Sequence, residues 1–335
     1  VSNTDLNTFE NNKDAFYKFI AGSDFLCGHN IVHHDLDFLT NGAVPMSHYG
    51  LIDTLFLSPL LFPKKPYHAL LKDDKLQVDE CNNPVNDCIK ARELFRDEIN
   101  AFEKLPEKVK GVYFALLYSQ KEFKGFFDYL DFLSKPDDLI GEIRVVYKGL
   151  FCENADLEML VRNYPVELAY SLALVSSDDY HSVTPHWLLR NFPKIENVVK
   201  YLRNRPCSAG CDYCKRHFDI HVGLKRFFGY DQFRTFDGEP LQGLAVQKAV
   251  EGKSLLAIFP TGGGKSLTFQ LPALMAGENV HGLTVVISPL QSLMKDQVDN
   301  LYNKGITDAV TINGLLDPVT RADACERVLN GSATM

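Results

Sequence analysis

Apolar positions through the middle of the chain recur at the three-to-four-residue interval of an amphipathic helix. The spacing is clear in 111–133, 156–175 and 186–203, where one face of each helix would be buried. Loops are predicted at 105–107 and 134–138, where proline stands among polar residues. The middle of the chain is therefore predicted to be mostly helical, with its aromatic residues in the core.

Two short apolar runs nearer the C-terminal end have the length and composition of buried strands. They occupy 255–259 and 283–287. Between them, 267–276 predict a helix in which Pro272 would introduce a kink. The order strand, helix, strand predicts a βαβ unit.

A glycine-rich loop joins the first apolar run to this helix. Its residues are Pro260, Thr261, Gly262, Gly263, Gly264, Lys265 and Ser266. Glycines let the backbone approach an anion closely, and successive N–H groups there can wrap a phosphate chain. Lys265 would reach the β- and γ-phosphates, and the Ser266 hydroxyl would bind Mg²⁺. The loop therefore predicts binding of ATP with Mg²⁺, although Phe259 stands where the strict P-loop pattern has glycine.

Composition limits the class of protein but does not indicate an activity. The chain has 335 residues, of which 45% are hydrophobic and 23% charged, as is ordinary for a soluble protein of two or three domains. The net charge of −8 does not indicate a nucleic-acid binder, but a summed charge hides local patches. No apolar run approaches the ~20 residues of a membrane span, and 1–5 are polar. These features predict a cytoplasmic protein.

Three features in 222–335 occur in a recognisable order. The first comprises Phe227, Phe228, Gly229 and Tyr230, followed by Phe233, Arg234 and Gln242. The second is the glycine loop, and the third is the segment 288–298, which begins Ser-Pro-Leu-Gln-Ser-Leu-Met. With these features, this part of the chain resembles the RecQ-type DNA helicases.

The resemblance implies a role for each of these features. Arg234 and Gln242 would contact ATP, since a glutamine amide can pair with both the donor and the acceptor on the adenine edge. Extra residues at 235–241 separate the two and leave Gln247 as a weaker rival of Gln242. The DNA backbone would contact Ser288, Pro289 and Ser292. The implied activity is ATP-dependent 3′–5′ DNA unwinding in a nucleoid-associated protein.

Two parts that such a helicase needs do not occur in the sequence. It contains neither an Asp-Glu-x-His segment nor a second motor domain, which supply the groups that stabilise phosphoryl transfer. We therefore expect a piece of a longer protein that by itself binds nucleotide weakly and does not unwind DNA.

The N-terminal part carries a second resemblance. Gly-His-Asn at 28–30 precedes Asp35, Asp-Thr-Leu stands at 53–55, and Asp87 opens a predicted helix. This pattern is similar to the DnaQ-like 3′–5′ exonucleases, and it implies that Asp35 and Asp87 bind Mg²⁺. Asp-x-Glu, the family's first motif, does not occur in the N-terminal part.

The position of the family's general base is also altered. Asn82 and Asn83 stand there, and an amide cannot take a proton from water near neutral pH. His34 or His68 would be a displaced base. The resemblance thus implies a fold of this family with doubtful nuclease activity.

A cluster of cysteines precedes the helicase-like segment. Cys207, Cys211 and Cys214 have metal-ligand spacing, with His217 or His221 as the fourth ligand and His217 favoured. Zn²⁺ is the expected ion, and an iron–sulfur cluster is the alternative because the same spacing occurs in radical-SAM loops. The basic residues around the cluster, which would touch DNA phosphates or form a solvated helix face, are Arg203, Arg205, Lys215, Arg216, Lys225 and Arg226.

The sequence thus predicts an α/β chain of four parts. A truncated ribonuclease-H-like exonuclease domain (1–100) precedes a helical connector (101–204), a Cys-rich metal knuckle (205–221) and the start of a RecA-like P-loop domain (222–335). The predicted function is an ATP-dependent DNA helicase fused to an exonuclease-like domain. Two alternatives are a nuclease whose motor only gates access and a non-catalytic scaffold clamped on DNA by ATP.

Overall fold

The chain folds into two units. The computed structural model describes residues 7, 9, 12–36, 48–65, 68, 70, 84–177, 186–204 and 206–335. The first unit comprises 1–146 with 158–173, and the second comprises 147–157 with 174–335. The segment 101–204, which the sequence groups as a connector, contributes to both units.

The described part of the first unit is a small parallel sheet with helices. Its elements are α1 (Lys13–Ile20), β1 (Phe25–Gly28), a π-helical turn (Ile31–Asp35), β2 (Gly50–Asp53), α2 (Thr54–Leu61), α3 (Pro84–Glu103), α4 (Glu107–Leu117), α5 (Lys121–Tyr129) and α6 (Leu139–Val146). Helix α7 (Leu157–Asn163) and most of α8 (Pro165–Ser176) also belong to it. Strands β1 and β2 pair in parallel, from Phe25 opposite Gly50 to Gly28 opposite Asp53.

Aromatic side chains on α5 form the centre of the first unit. Phe123, Phe126 and Phe127 are completely buried, and Phe102 of α3 meets Phe126 edge-on with ring centroids 5.3 Å apart. Edge-to-face packing matches the positive ring edge to the negative ring face. The aromatic residues of this stretch are therefore core, as their helical spacing predicts, and Tyr129 is the most exposed of them at 42%.

The described part of the second unit is helical. Its elements are α9 (His186–Asn191), α10 (Ile195–Arg203), α11 (Asp212–Phe218), α12 (Ile220–Phe228), α13 (Leu241–Val250), α14 (Leu267–Val280), α15 (Gln291–Tyr302) and α16 (Pro318–Leu329). Its main core contains Leu224 of α12, Val246 of α13 and Leu271, Leu274 and Met275 of α14. The Asp219 side chain accepts the N–H groups of His221 and Val222 and so caps α12.

The predicted helices of the middle are confirmed, but each predicted stretch is divided. Helices α4 and α5 share the first stretch, α7 and α8 the second, and α9 and α10 the third. Two of these breaks fall at prolines, because Pro165 opens α8 and Pro193 lies between α9 and α10. Proline lacks the N–H that would continue the preceding helix. The predicted helix after the glycine loop also forms, as α14, with Pro272 inside it.

The two predicted strands near the C-terminal end are not strands in this structure. In the described chain, 254–259 make no backbone–backbone hydrogen bond, and 283–287 make one, from the Thr284 N–H to the Thr334 carbonyl at 2.8 Å. Ile258 is 82% exposed and Ile287 90% exposed. A strand requires a neighbouring strand to pair with its backbone, and these segments lack one among the described residues. The expected α/β unit is thus replaced by a mostly helical unit.

Gly125 allows α5 to lie directly against β2. A Cβ atom at this position would stand 2.1 Å from the Leu51 carbonyl oxygen, whereas at Gly111 in α4 the nearest atom would be 3.6 Å away. We expect Gly125→Ala to lower the free energy of unfolding by about 1–3 kcal/mol through overpacking. The control Gly111→Ala should raise it by about 0.5–1 kcal/mol through helix propensity. Urea denaturation measures both, and equal effects would contradict the close approach of α5 to β2.

Candidate functional site

The glycine loop leads directly into the N-terminus of α14. Gly262 and Gly264 have φ angles of +77° and +75°, a left-handed backbone that favours glycine. A Cβ on Gly263 would lie 2.9 Å from the Pro260 carbonyl oxygen, so this position is also restricted to glycine. Helix α14 begins after Ser266, whose side chain makes no capping hydrogen bond. The first N–H groups of a 14-residue helix therefore follow the loop and favour an anion there.

Three of the predicted ATP contacts converge on this loop. The Arg234 guanidinium donates to the Gly262 carbonyl at 2.6 Å, and the Gln242 amide donates to the Gly264 carbonyl at 3.0 Å. The Lys265 ammonium donates to the Phe259 carbonyl at 3.0 Å. Residues separated by up to 31 positions in sequence thus surround one segment of backbone.

The structure distinguishes between the two candidate glutamines. Gln242 is 2% exposed, and its carbonyl oxygen accepts the Arg234 N–H at 2.9 Å. Gln247 lies on the same helix, α13, but its amide donates to the exposed Glu251 at 3.2 Å. Gln242 is therefore the glutamine that hydrogen-bonds to the loop, whereas the Gln247 amide pairs with Glu251. Thr261 is exposed on the loop surface.

The predicted DNA-contacting residues surround the start of α15. The Ser288 hydroxyl accepts the Leu290 N–H at 3.4 Å, and Ser292 is exposed in the first turn of the helix. The Gln270 amide of α14 donates to the Gln297 carbonyl oxygen of α15 at 2.7 Å. One hydrogen bond thus joins the helix after the glycine loop to the helix after Ser288 and Pro289.

The cysteine cluster acquires a fourth thiol from a distant part of the chain. The sulfur atoms of Cys152, Cys207, Cys211 and Cys214 all lie within 4.8 Å of one another. His217, the favoured fourth ligand, is not in this group; its ring stacks on Tyr213 at 4.3 Å between centroids. His221 meets Phe233 edge-on at 5.2 Å. Cys152 therefore takes the place that the sequence analysis assigned to a histidine.

The protonation of the thiols differs across the group. The N–H of Cys211 lowers the pKa of the Cys207 thiol to about 6 and so favours its thiolate. Burial raises the pKa of Cys152 and Cys214, because a low-dielectric surrounding disfavours charge.

The basic stretch around the cysteines is less available than its sequence indicates. Arg203 is buried and donates to the carbonyls of Leu150 and Val175 at 2.7 and 3.1 Å. Arg226 pairs with Glu278 at 2.5 Å, and Lys225 pairs with Asp231. Lys215 and Arg216 are exposed, and Arg205 lies outside the described residues. Three of the six basic residues are thus engaged in contacts within the protein.

Asp53 organises the segment around β1 and β2 in the first unit. Its buried carboxylate accepts the N–H groups of Asn30 at 2.8 Å, Val32 at 3.0 Å and Leu55 at 3.1 Å. The aspartate at the end of β2 thereby fixes the Gly-His-Asn turn that follows β1. In the sequence, the Asp-Thr-Leu at 53–55 was the signal for this residue.

The two predicted Mg²⁺ ligands do not join a larger cluster. Asp35 ends the π-helical turn and lies 3.3 Å from the His34 ring, and Asp87 is in the first turn of α3. Among the described residues, neither aspartate belongs to a group of three or more potential metal ligands. Asn82 and Asn83 lie outside the described residues.

Two histidines nearby, His29 and His68, are poor bases. Burial lowers the pKa of His29 and of His68 to about 4, so both rings are neutral at pH 7 and hold a proton weakly. The ring of His68 forms a 2.8 Å hydrogen bond with the Ser58 hydroxyl.

Comparison with known proteins bears on the second unit. Residues 239–333 match the sequence model of the DEAD/DEAH box helicase family. ATP-dependent helicase SGS1 of Saccharomyces cerevisiae is 38% identical over 124 residues, which are 30% of this chain and 9% of that protein. ATP-dependent DNA helicase RecQ of Bacillus subtilis is 48% identical over 87 residues, 26% of this chain and 13% of that protein.

A third relative shows the same partial overlap. ATP-dependent DNA helicase RecQ of Synechocystis sp. is 44% identical over 99 residues, 30% of this chain and 19% of that protein. The chain thus spans between 9% and 19% of the length of these three curated relatives. No solved structure matches significantly. The RecQ-type resemblance is confirmed for the C-terminal part, and the family match does not extend to the exonuclease-like segment.

Glu98 of α3 is a buried carboxyl that the sequence did not single out. Neither of its oxygens has a hydrogen-bond partner among the described residues, and burial, with the nearby Asp53, raises its pKa well above 4.5. At a pH between the unfolded-state and the folded-state pKa, the carboxyl is protonated in the folded protein and ionised in the unfolded chain. Its contribution to stability is therefore full below about pH 4.5 and is lost as the pH rises through the folded-state pKa.

We expect Glu98→Gln to remove this pH dependence. Between about pH 5 and pH 8, the variant should gain about 1 kcal/mol or more in unfolding free energy relative to the original chain. Glu93→Gln, at an exposed position of the same helix, is the control and should gain nothing. Urea denaturation across this pH range measures the difference. If the unfolding free energies of Glu98→Gln and of the original chain changed equally with pH, the raised pKa would be contradicted.

Proposed function

We propose that the intact protein is an ATP-dependent DNA helicase of the RecQ type, which acts inside the cell and couples ATP hydrolysis to 3′–5′ unwinding. The helicase match at 239–333 supports the class. The observation that carries the proposal is the convergence of Arg234, Gln242 and Lys265 on the glycine loop. Lys265 lies far from Arg234 and Gln242 in the sequence, so the fold brings the three side chains together.

In this proposal the loop side chains exchange internal contacts for nucleotide contacts. Lys265, which now donates to the Phe259 carbonyl, turns to the β- and γ-phosphates, and the loop N–H groups from Thr261 to Ser266 bind their oxygens. Mg²⁺, when bound, neutralises phosphate charge and is held by the Ser266 hydroxyl. Gln242, whose amide already reaches the loop, pairs with the adenine edge while Arg234 stabilises the loop or the phosphates.

DNA contact in this proposal uses the start of α15. Ser288 and Ser292 donate to backbone phosphates, together with the helix N-terminal N–H groups, and Pro289 shapes the turn. The Gln270–Gln297 hydrogen bond gives the nucleotide loop a direct route to this helix, since each glutamine is on one of the two helices. Hydrolysis and strand separation require the further motor elements that RecQ-type helicases possess.

We also propose that the first unit is an exonuclease-like domain with little or no nuclease activity. The parallel pair β1–β2 and the Asp53-anchored turn support the fold. The separation of Asp35 and Asp87 from any third described ligand supports the weak activity, because two-metal catalysis needs a carboxylate cluster.

We expect Lys265→Ala to weaken binding of Mg²⁺·ATP to the 335-residue chain about 10- to 100-fold, because a charge-assisted contact to phosphate is lost. Lys253→Ala, at an exposed position before the loop, is the matched control and should bind normally. Isothermal titration calorimetry measures both affinities. In the longer protein, Lys265→Ala should also abolish ATPase activity and unwinding while DNA binding persists; unchanged ATPase activity would refute the loop assignment.

We expect Gln242→Ala to reduce the preference for ATP over GTP about tenfold, because the adenine edge loses its paired amide. Gln247→Ala removes an amide from the exposed side of the same helix and should leave the preference unchanged. Competition between the two nucleotides for the 335-residue chain measures the ratio. If Gln247→Ala rather than Gln242→Ala relaxed the preference, the adenine-reading role would pass to Gln247.

A further inference from the structure

Cys152 reaches the cysteine cluster from outside its motif. It follows α6 in the loop 147–157, which belongs to the second unit, and its sulfur lies 3.9 Å from the Cys211 sulfur. Around a tetrahedral Zn²⁺ with Zn–S bonds of about 2.3 Å, the ligand sulfurs are about 3.8 Å apart. The four thiols, all within 4.8 Å of one another, thus already have nearly the spacing that one ion imposes.

The sulfur–sulfur distances distinguish among an iron–sulfur cluster, a disulfide and a single metal ion. A four-iron cluster holds its thiolates on the outer corners of a cube and spreads them farther apart than a single ion does. A disulfide requires sulfurs about 2.05 Å apart, whereas the four cysteines are free thiols. A single tetrahedral ion with four thiolate ligands fits the distances best.

The backbone around the cysteines is arranged as a metal-binding turn. The Cys211 N–H donates to the Cys207 sulfur at 3.3 Å, and the Cys207 N–H donates to the Cys214 sulfur at 3.5 Å. Gly210, with a φ of +60°, provides the left-handed residue that brings Cys211 back towards Cys207. Such N–H···S hydrogen bonds orient and stabilise thiolate ligands.

We propose that Cys152, Cys207, Cys211 and Cys214 bind one Zn²⁺ ion in a closed structural site, and that this ion anchors the C-terminal end of α14. Four protein ligands leave no open position for water or substrate, so the ion stabilises the fold rather than catalysing a reaction.

The link to α14 runs through side chains that lie beside the ligands. Tyr213, between two of the cysteines, donates its hydroxyl to the Asn279 side chain at the end of α14. Asn279 in turn donates to the Arg203 carbonyl at 2.7 Å, and the Cys152 N–H donates to the Leu202 carbonyl at 3.0 Å. The loop 147–157, the end of α10, α11 and the end of α14 are thus connected at the cluster.

The first test is the metal content of the 335-residue chain purified without added metal. We expect elemental mass spectrometry to find about one zinc and no iron per chain. X-ray absorption spectroscopy at the zinc edge should show four sulfur ligands at about 2.3 Å. Three sulfurs and one nitrogen would overturn the role of Cys152. Metal-free protein, or iron with sulfide, would overturn the ion itself.

Variants assign the ligands independently. Cys152→Ala should lose the zinc and lower the melting temperature by about 10 °C. Two controls should each retain one zinc: Cys325→Ala, at an exposed thiol of α16, and His217→Ala. Zinc retained by Cys152→Ala and lost by His217→Ala would refute the proposal. The absorption measurement on the unaltered chain decides the same question if Cys152→Ala does not fold.

The anchoring role has its own measurement. Removing zinc from the chain with a chelator should speed amide hydrogen exchange at least tenfold in the last turn of α14, around Asn279, while exchange in α16 stays unchanged. Unaltered exchange in α14 would overturn the anchor. None of these three experiments uses nucleotide or DNA, so their outcomes are independent of the proposed helicase activity.

Discussion

Helix α14 is held at both ends, and the organisation of the second unit depends on that constraint. Its N-terminus follows the glycine loop, where Arg234, Gln242 and Lys265 hold three backbone carbonyls. Its C-terminal end is held by Asn279 through Tyr213 and the Arg203 carbonyl. Between these ends, the buried side chains of Leu271, Leu274 and Met275 pack against α12 and α13. Because a helix is stiff along its axis, a restraint at one end limits motion at the other.

The hydrogen bonds of the glycine loop bear on how a nucleotide would bind there. Arg234, Gln242 and Lys265, which would contact ATP in the proposed function, each donate to a backbone carbonyl of this segment. For these three side chains, nucleotide binding would replace existing hydrogen bonds. The net gain is then the difference between phosphate and carbonyl as acceptor, which is favourable because the phosphate is charged. Through Gln270 and Gln297, the same helix is hydrogen-bonded to α15, the helix that would contact DNA in the proposed function.

In the first unit, burial shifts the pKa of carboxyls and histidines in ways that do not favour hydrolytic chemistry. Asp53 and Glu98 are completely buried, and burial raises the pKa of both carboxyls. The same environment lowers the pKa of His29 and His68 to about 4. The low pKa of these two rings makes them poor bases near neutral pH, and the Asp53 oxygens accept three backbone N–H groups. This environment therefore suits packing and hydrogen bonding. Metal-dependent hydrolysis needs ionised ligands and an effective base.

The sequence by itself determined the local features: the helical middle, the glycine loop before a helix, and the helicase motifs around it. Each depends on residues within a few positions, whose spacing and backbone preferences can be read directly. Only the tertiary structure decided the features that depend on residues far apart in the sequence. Gln247 remains a weaker rival of Gln242 until α13 places Gln242 against the loop, and Cys152 is 55 positions from Cys207 with no local pattern to mark it. The predicted strands failed for the same reason, because a strand depends on hydrogen bonds to a neighbour that no local pattern specifies.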